Sequence, residues 1–119
     1  MNRIDHRDFF DIDLPRLEAE FGDEEKFVEF LASLDKAVHE IMNDPADEGA
    51  PLTRPPLAPT YRKKKFHSTL RSPQGIKADM RLVYRCDIDT NTLYVLGVGK
   101  RRPYQSNDIY EILNPRSPI

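Results

Sequence analysis

Residues 79–102, DMRLVYRCDIDTNTLYVLGVGKRR, constrain the fold more tightly than any other stretch of the chain. Met80, Leu82, Tyr84 and Cys86 alternate with Arg81, Val83 and Arg85, the two-residue period of a strand with one face on a core and the other on solvent or a ligand. Thr90-Asn91-Thr92 supplies the turn. Leu93 to Val98 then forms a second strand, apolar enough to be covered on both faces, which empties into Gly99-Lys100-Arg101-Arg102. In such a β-hairpin Arg81 lies on the first strand and Arg101 just past the end of the second, so the two converge. Neighbouring guanidinium groups repel one another unless an anion sits between them, and the hairpin therefore predicts an anion-binding tip.

The segments before the hairpin supply what its apolar face needs. Residues 3–13 predict a short strand or an extended lead-in, with Ile4, Phe9, Phe10 and Ile12 as apolar contacts. Asp13 is placed to cap a helix starting at Leu14, where Pro15 is tolerated in the first turn; Leu14, Leu17 and Phe21 share its face and Gly22 ends it. Asp23 caps a second helix over 24–43, in which Phe27, Leu31, Leu34, Val38 and Ile41 recur at steps of three and four, joined by Phe30 and Met42. Residues 44–60 hold five of the ten prolines and only Leu52 and Leu57 as large apolar residues, which predicts a long loop running extended over the surface. Residues 61–70 read as a further strand anchored by Tyr61, Phe66 and Leu70, followed by a turn over 71–75. Beyond Arg102 a loop leads to a short helix over 108–113, capped by Ser106 or Asn107, and Pro115 and Pro118 mark a frayed tail over 114–119. The fold class expected is α+β. Two N-terminal helices pack on a small, largely antiparallel sheet of three or four strands with a cationic concave face, and a short C-terminal helix follows, all in a single domain over 1–119.

The net charge of −2 conceals a division. Residues 1–50 carry 5 Lys and Arg against 15 Asp and Glu, and residues 51–119 carry 13 against 5. A segregated basic half is the electrostatic footprint of a polyanion, and the acidic half must then face away from it; the alternative is that the two halves attract each other within the fold. No apolar run approaches the roughly 18 residues of a membrane span, and the amino-terminal MNRIDHRDFF has acids where a signal peptide needs an apolar core, so the expected location is the cytoplasm, with no membrane partner. Cys86 has no second cysteine to pair with and, in a strand alternation, reads as a buried structural thiol.

Phosphate-binding glycine loops, dinucleotide fingerprints, serine elbows and paired Cys or His spacings are missing, and His6, His39 and His67 are scattered, so neither a cofactor nor a metal is expected. What remains is a set of cations with two proton carriers among them. If the polyanion is RNA, cutting it without a metal would require a base for the 2′-hydroxyl proton, cations to hold the charge of the phosphorane, and an acid for the leaving 5′-oxygen. A lysine or histidine pushed toward neutrality by crowded positive charge can be the base, and Lys65 and His67 alternate on one strand face. Lys63, Lys64, Arg85, Lys100 and Arg102 are the further cations an RNA strand would meet. Each has a plainer reading. Residues 62–65 also describe a solvated edge strand and Lys100 to Arg102 a solvated strand end; Arg81 and Arg85 can pair with Asp87, Asp89 or the acidic helices, and Tyr110 can be a packing residue.

Arg81-Leu82-Val83-Tyr84, followed a strand later by Val98-Gly99-Lys100-Arg101 and downstream by Tyr110, resembles the RelE branch of the RelE/ParE toxin superfamily, the toxic halves of bacterial type II toxin–antitoxin pairs. The resemblance covers residues 60–113. It implies a ribosome-dependent mRNA endonuclease with no cofactor, whose partners are message on the ribosome and a cognate antitoxin that holds it inactive. It places Arg81 at the strand arginine that stabilises the scissile phosphate, Arg101 at the arginine acting on the leaving group with Lys100 beside it, and Tyr110, after a longer loop, at the tyrosine that stacks on or orients a base. The family's catalytic lysine pair has no clean counterpart here, and Lys65 with His67 stands in for it. The alternatives are a ParE-like inhibitor of DNA gyrase, a catalytically impaired relative that only binds antitoxin or RNA, and a general nucleic-acid-binding module. For the last, the basic half has few aromatic platforms and no tryptophan.

Overall fold

The computed structural model describes residues 1–71 and 74–119, and the architecture is α+β. Strand β1 (Asn2–Asp5) leads through a π-helical turn (Phe9–Asp13) into helix α1 (Leu14–Phe21) and then α2 (Glu24–Asn43). Strands β2 (Ala50–Pro51), β3 (Arg62–Phe66), β4 (Met80–Asp87) and β5 (Thr92–Lys100) follow, and the short helix α3 (Ile109–Leu113) comes last. Among the described residues the sheet has five strands in the order β1-β5-β4-β3-β2, antiparallel except for β1, which runs parallel to β5. Three or four were expected. The short strand allowed for in residues 3–13 is β1, which ends at Asp5 and gives way to the helical turn at Phe9; the strand not expected is two-residue β2, which arises inside the proline-rich segment, at a sheet edge where Pro51 has no ladder N–H to supply. The turn expected over 71–75 includes residues 72 and 73, which lie outside the described residues.

The hairpin's alternation sorts the core into two layers. Met80, Leu82 and Tyr84 of β4, with Leu93, Val95 and Val98 of β5, meet Phe30, Leu34, Val38 and Ile41 of α2 and Leu17 of α1 on one face. On the other, Val83 and Leu96 pack with Leu57, Tyr61, Ile109 and Leu113. A register shift at Val83/Tyr84 leaves Leu96 as an extra residue in β5, so that Leu96 and Gly97 both address the α3 side. Gly97 and Gly99 form a bare track on that side. A Cβ at Gly99 would stand 2.7 Å from Ile109 Cδ1, and one at Gly97 2.5 Å from Leu113 Cδ2, so α3 lies directly on the strand backbone.

Helix ends follow the sequence at Gly22 (φ 63°) and at Asp23, whose carboxylate accepts from the Lys26 N–H at 3.1 Å, but not elsewhere. Asp13 caps nothing. The π-helical turn runs into α1 without a break, and the Asp13 carboxylate, fully buried, accepts from Arg116 Nη1 and Nη2 at 2.8 and 2.9 Å and from the Val98 N–H at 3.0 Å. That ion pair corrects the expectation of a frayed tail, because it anchors residues 114–119 across the sheet; the Ile119 N–H also donates to Tyr61 Oη at 3.0 Å. α3 is capped by Asp108, which accepts from the Tyr110 N–H, rather than by Ser106 or Asn107. The proline-rich segment is likewise more than a surface loop: Leu57 is buried against the sheet and the Leu52 N–H donates to the Tyr61 carbonyl at 3.1 Å. Among the described residues, no helix is long and apolar enough to cross a membrane.

Candidate functional site

Strand β3 carries four consecutive cations, and its pleat divides them between the two faces. Lys64 points toward α2, where its ammonium lies 2.8 Å from Glu40 Oε2 and also meets Glu48. Arg62 donates to the Glu48 carbonyl at 3.2 Å. Lys63 and Lys65 therefore face the α3 side. There Lys65 stands opposite Arg81 of β4, and Arg81 stands opposite Gly99 of β5. Directly opposed side chains begin about 5 Å apart, and two like charges so placed are unfavourable without an anion or a compensating dipole.

Arg81 has no carboxylate partner among the described residues. Its Nη1 donates to the carbonyls of Ala78 and Met80, both at 2.9 Å, which fixes the guanidinium while leaving its charge intact. Arg101 differs. The Arg101 N–H donates to the Asp79 carbonyl at 2.9 Å, extending the hairpin by one rung, and its Nη1 lies 2.7 Å from Asp108 Oδ2, a buried carboxylate. Its guanidinium sits 4.9 Å from the centre of the Tyr110 ring. Asp108 thus does two tasks: it caps α3 and it holds Arg101 over Tyr110. The Tyr110 hydroxyl is buried beside Arg81 and Arg101 and has no hydrogen-bond partner among the described residues. Burial pushes its pKa up, against the smaller downward pull of those two arginines.

Lys63 completes the cluster. Its pKa is lowered, first by burial and then by the positive charges of Lys65, Arg81 and Arg101. A lysine in that state gives up its proton more readily than a surface lysine, while the cations that lower it remain available to an oxyanion. Beside the cluster, a groove of about 440 Å³ opens between the proline-rich segment, at Leu52 and Arg54, and Tyr104 and Tyr110 on the other side, with Lys63 and Arg101 lining it.

Arg81, Arg101, Tyr110, Lys63 and Lys65 are brought to one face; other candidate residues are elsewhere. His67 follows the end of β3, accepts from or donates to nothing in the cluster, has Nε2 2.9 Å from the Ile76 carbonyl, and lines a cleft that it shares with Ser33 and Lys36 of α2 and with Lys64 and Lys65. Lys100 points to the α1 side, its ammonium 4.8 Å from the Phe21 ring centre, and Arg102 pairs with Glu20 of α1 at 3.1 Å. Arg85 lies four residues along β4 from Arg81, about 13 Å away at strand rise, where it stacks over Tyr94 at 3.9 Å and donates to the Ile119 carbonyl. The attraction between acidic and basic halves is thus real for Lys64, Arg102 and Arg116, and it leaves Lys63, Lys65 and Arg81 out. The sequence alone gives Lys63 to general RNA contact rather than to proton transfer. The available signal is its two-residue spacing from Lys65, which the sequence repeats between Lys65 and His67; the expected strand over 61–70 ends at Phe66 and leaves His67 outside it. Asp108 left no signal beyond its place next to a helix start.

No family model matches the chain, and no curated protein does. Among solved structures, the fold is similar to the solution structure of a conserved hypothetical protein, HP0892, from Helicobacter pylori, at 22% identity and a TM-score of 0.47, over 84% of this chain and 93% of that one. That likeness is one of outline only, and the name attached to it states no activity. Among the described residues, no group of three or more His, Cys, Asp or Glu side chains is arranged to hold a metal ion.

Proposed function

We propose that this protein is a metal-independent endoribonuclease of the RelE type, cutting message on the ribosome and restrained by a cognate antitoxin. The observation that supports this reading most is the cluster in which Arg81 and Arg101 lie beside the unpartnered Tyr110 hydroxyl and Lys63 and Lys65 lie beside those arginines, with Lys63 held below the usual lysine pKa. A phosphodiester offers Lys63, Lys65 and Arg81 the negative charge they lack, while Arg101 keeps its pairing with Asp108. In the proposed reaction Lys63 takes the 2′-hydroxyl proton and the 2′-oxygen attacks phosphorus. Arg81 and Lys65 hold the charge that develops on the phosphorane oxygens, with the Tyr110 hydroxyl donating to one of them. The bond to the 5′-oxygen breaks beside Arg101, and a proton from Lys65 restores the leaving hydroxyl. The products are a 2′,3′-cyclic phosphate and a 5′-hydroxyl. His67 has no part in this scheme, and the lysine pair of the resemblance is better filled by Lys63 and Lys65 than by Lys65 and His67.

The purified chain added to a translating extract should arrest synthesis and leave message fragments with 5′-hydroxyl ends, and Arg81→Ala with Arg101→Ala should abolish both effects. Undisturbed translation at high protein dose would remove the enzyme claim. Loss of DNA supercoiling by gyrase, with translation intact, would put the ParE-like activity in its place.

A further inference from the structure

We infer that the groove beside the cation cluster seats one guanine base of the bound RNA, stacked on Tyr104 and read at its edge by Glu111 and Asn114. The RNA itself rests on the ribonuclease reading above, but the side chains are a different set. Tyr104 is wholly exposed, and its backbone stands at φ 67°, a left-handed conformation that residues with a side chain avoid. The fold thus presents an aromatic ring to solvent on unfavourable backbone geometry, at the rim of a groove that also holds Lys63 and Arg101. A base stacks on such a ring whatever its identity, and the phosphate next to it falls within reach of the cations.

The choice of base comes from the far side of the groove. Glu111 of α3 and Asn114, the residue that closes its C-terminal end, are three residues apart, both line the groove, and neither side chain has a hydrogen bond or ion pair among the described residues. A carboxylate beside a phosphate-binding cluster repels the RNA backbone, so what it can attract there is a neutral edge rich in N–H donors. Among the four bases only guanine offers two adjacent donors, N1–H and the N2 amino group, which match the two oxygens of Glu111; the Asn114 amide can then donate to O6. Adenine and cytosine place an acceptor next to their amino group, and uracil has a single donor between two carbonyls. All three would set a lone pair against the carboxylate.

The test uses two readouts. In the first, GMP, AMP, CMP and UMP are titrated into isotope-labelled protein and followed by NMR. GMP should shift Tyr104, Glu111 and Asn114 saturably and bind about tenfold tighter than UMP, Glu111→Gln should erase that preference, and Tyr104→Ala should weaken all four nucleotides by about tenfold, the weight of one stack. In the second, cut sites are mapped on a message of mixed sequence: wild-type protein should cut next to guanine, and Glu111→Gln should spread the cuts over all four bases. Both substituted residues are exposed, so neither change threatens folding. Equal shifts with all four nucleotides, or cut sites that ignore both substitutions, overturn the inference and leave the ribonuclease reading standing. Guanine-selective shifts in a protein that cuts no RNA support the base site and overturn the ribonuclease reading instead.

Discussion

Replacing Gly99 by alanine adds one methyl group to the strand face on which α3 lies. The backbone accepts it, because Gly99 is not among the glycines with positive φ. In open space Gly→Ala at such a position stabilises by about 0.4–1 kcal/mol by restricting the unfolded chain. Here the new Cβ would stand 2.7 Å from Ile109 Cδ1 and 3.3 Å from Ile109 Cβ and Cγ1, against the roughly 3.5–4.0 Å of a relaxed carbon contact. Turning the end of the Ile109 side chain relieves the first contact. The Cβ contact is fixed to the helix backbone, so α3 must lift by a few tenths of an ångström. Overpacking of this kind costs about 1–3 kcal/mol, so the net effect of Gly99→Ala is a loss of about 1–2 kcal/mol. Ile109→Ala alone empties a fully buried site and costs about 2–5 kcal/mol, but it also removes the clashing atoms. The double variant should therefore be more stable than the sum of the singles by about 1 kcal/mol. Urea unfolding followed by circular dichroism measures all four corners of this cycle. A Gly99→Ala variant as stable as wild type, or singles that simply add, would refute the claim that the glycine track seats α3, and with it the placement of Tyr110 against Arg81.

Other consequences are as direct. Arg81→Gln removes one of the charges that lower the Lys63 pKa, so an NMR titration of the Lys63 ammonium should move upward toward the ordinary 10.5; an unmoved value would separate the two residues. Because the folded-state pKa lies below the unfolded one, the unfolded chain binds more protons between the two values, and this group makes the protein more stable as pH rises through that window. The rate of RNA cutting should rise with pH over the same range, as Lys63 loses its proton. Arg116→Ala strands the buried Asp13 carboxylate and should cost about 3–5 kcal/mol in urea unfolding, whereas a frayed tail would lose almost nothing. Lys64→Ala, on the opposite face and paired with two glutamates, should lower stability by about 1 kcal/mol or less and leave RNA cutting unchanged; a large loss of cutting would mean the sheet's two faces share one site.

What could be read from the chain depended on how local the governing physics was. The hairpin and α2 followed from periodicity, because each buries one face of a regular element. For β1 the sequence offered only a short strand or an extended lead-in, since its parallel pairing with β5 is set by a distant strand and its own residues are polar and mostly exposed. Asp13 and Arg116 are 103 residues apart, and each alone looks like an ordinary surface charge; only the fold makes them a buried pair. The convergence of Arg81 with Arg101 was expected from hairpin geometry, but Arg101 also holds Asp108, which lies beyond the hairpin. Lys63, Lys65 and His67 share a two-residue spacing, so spacing alone does not say which two belong together; β3 ends at Phe66 and keeps only Lys63 and Lys65 on the strand.

The most direct test of a single phosphate seat is single-turnover cutting of a ribosome-bound message by wild type, Lys63→Ala, Arg81→Ala and the double variant. Groups acting on one transition state do not contribute independently. Each single change should slow cutting by about 100-fold or more, and the double variant should be scarcely slower than the worse single. A message left whole by the wild-type protein, or losses that multiply as if the two side chains acted at separate places, would contradict the account.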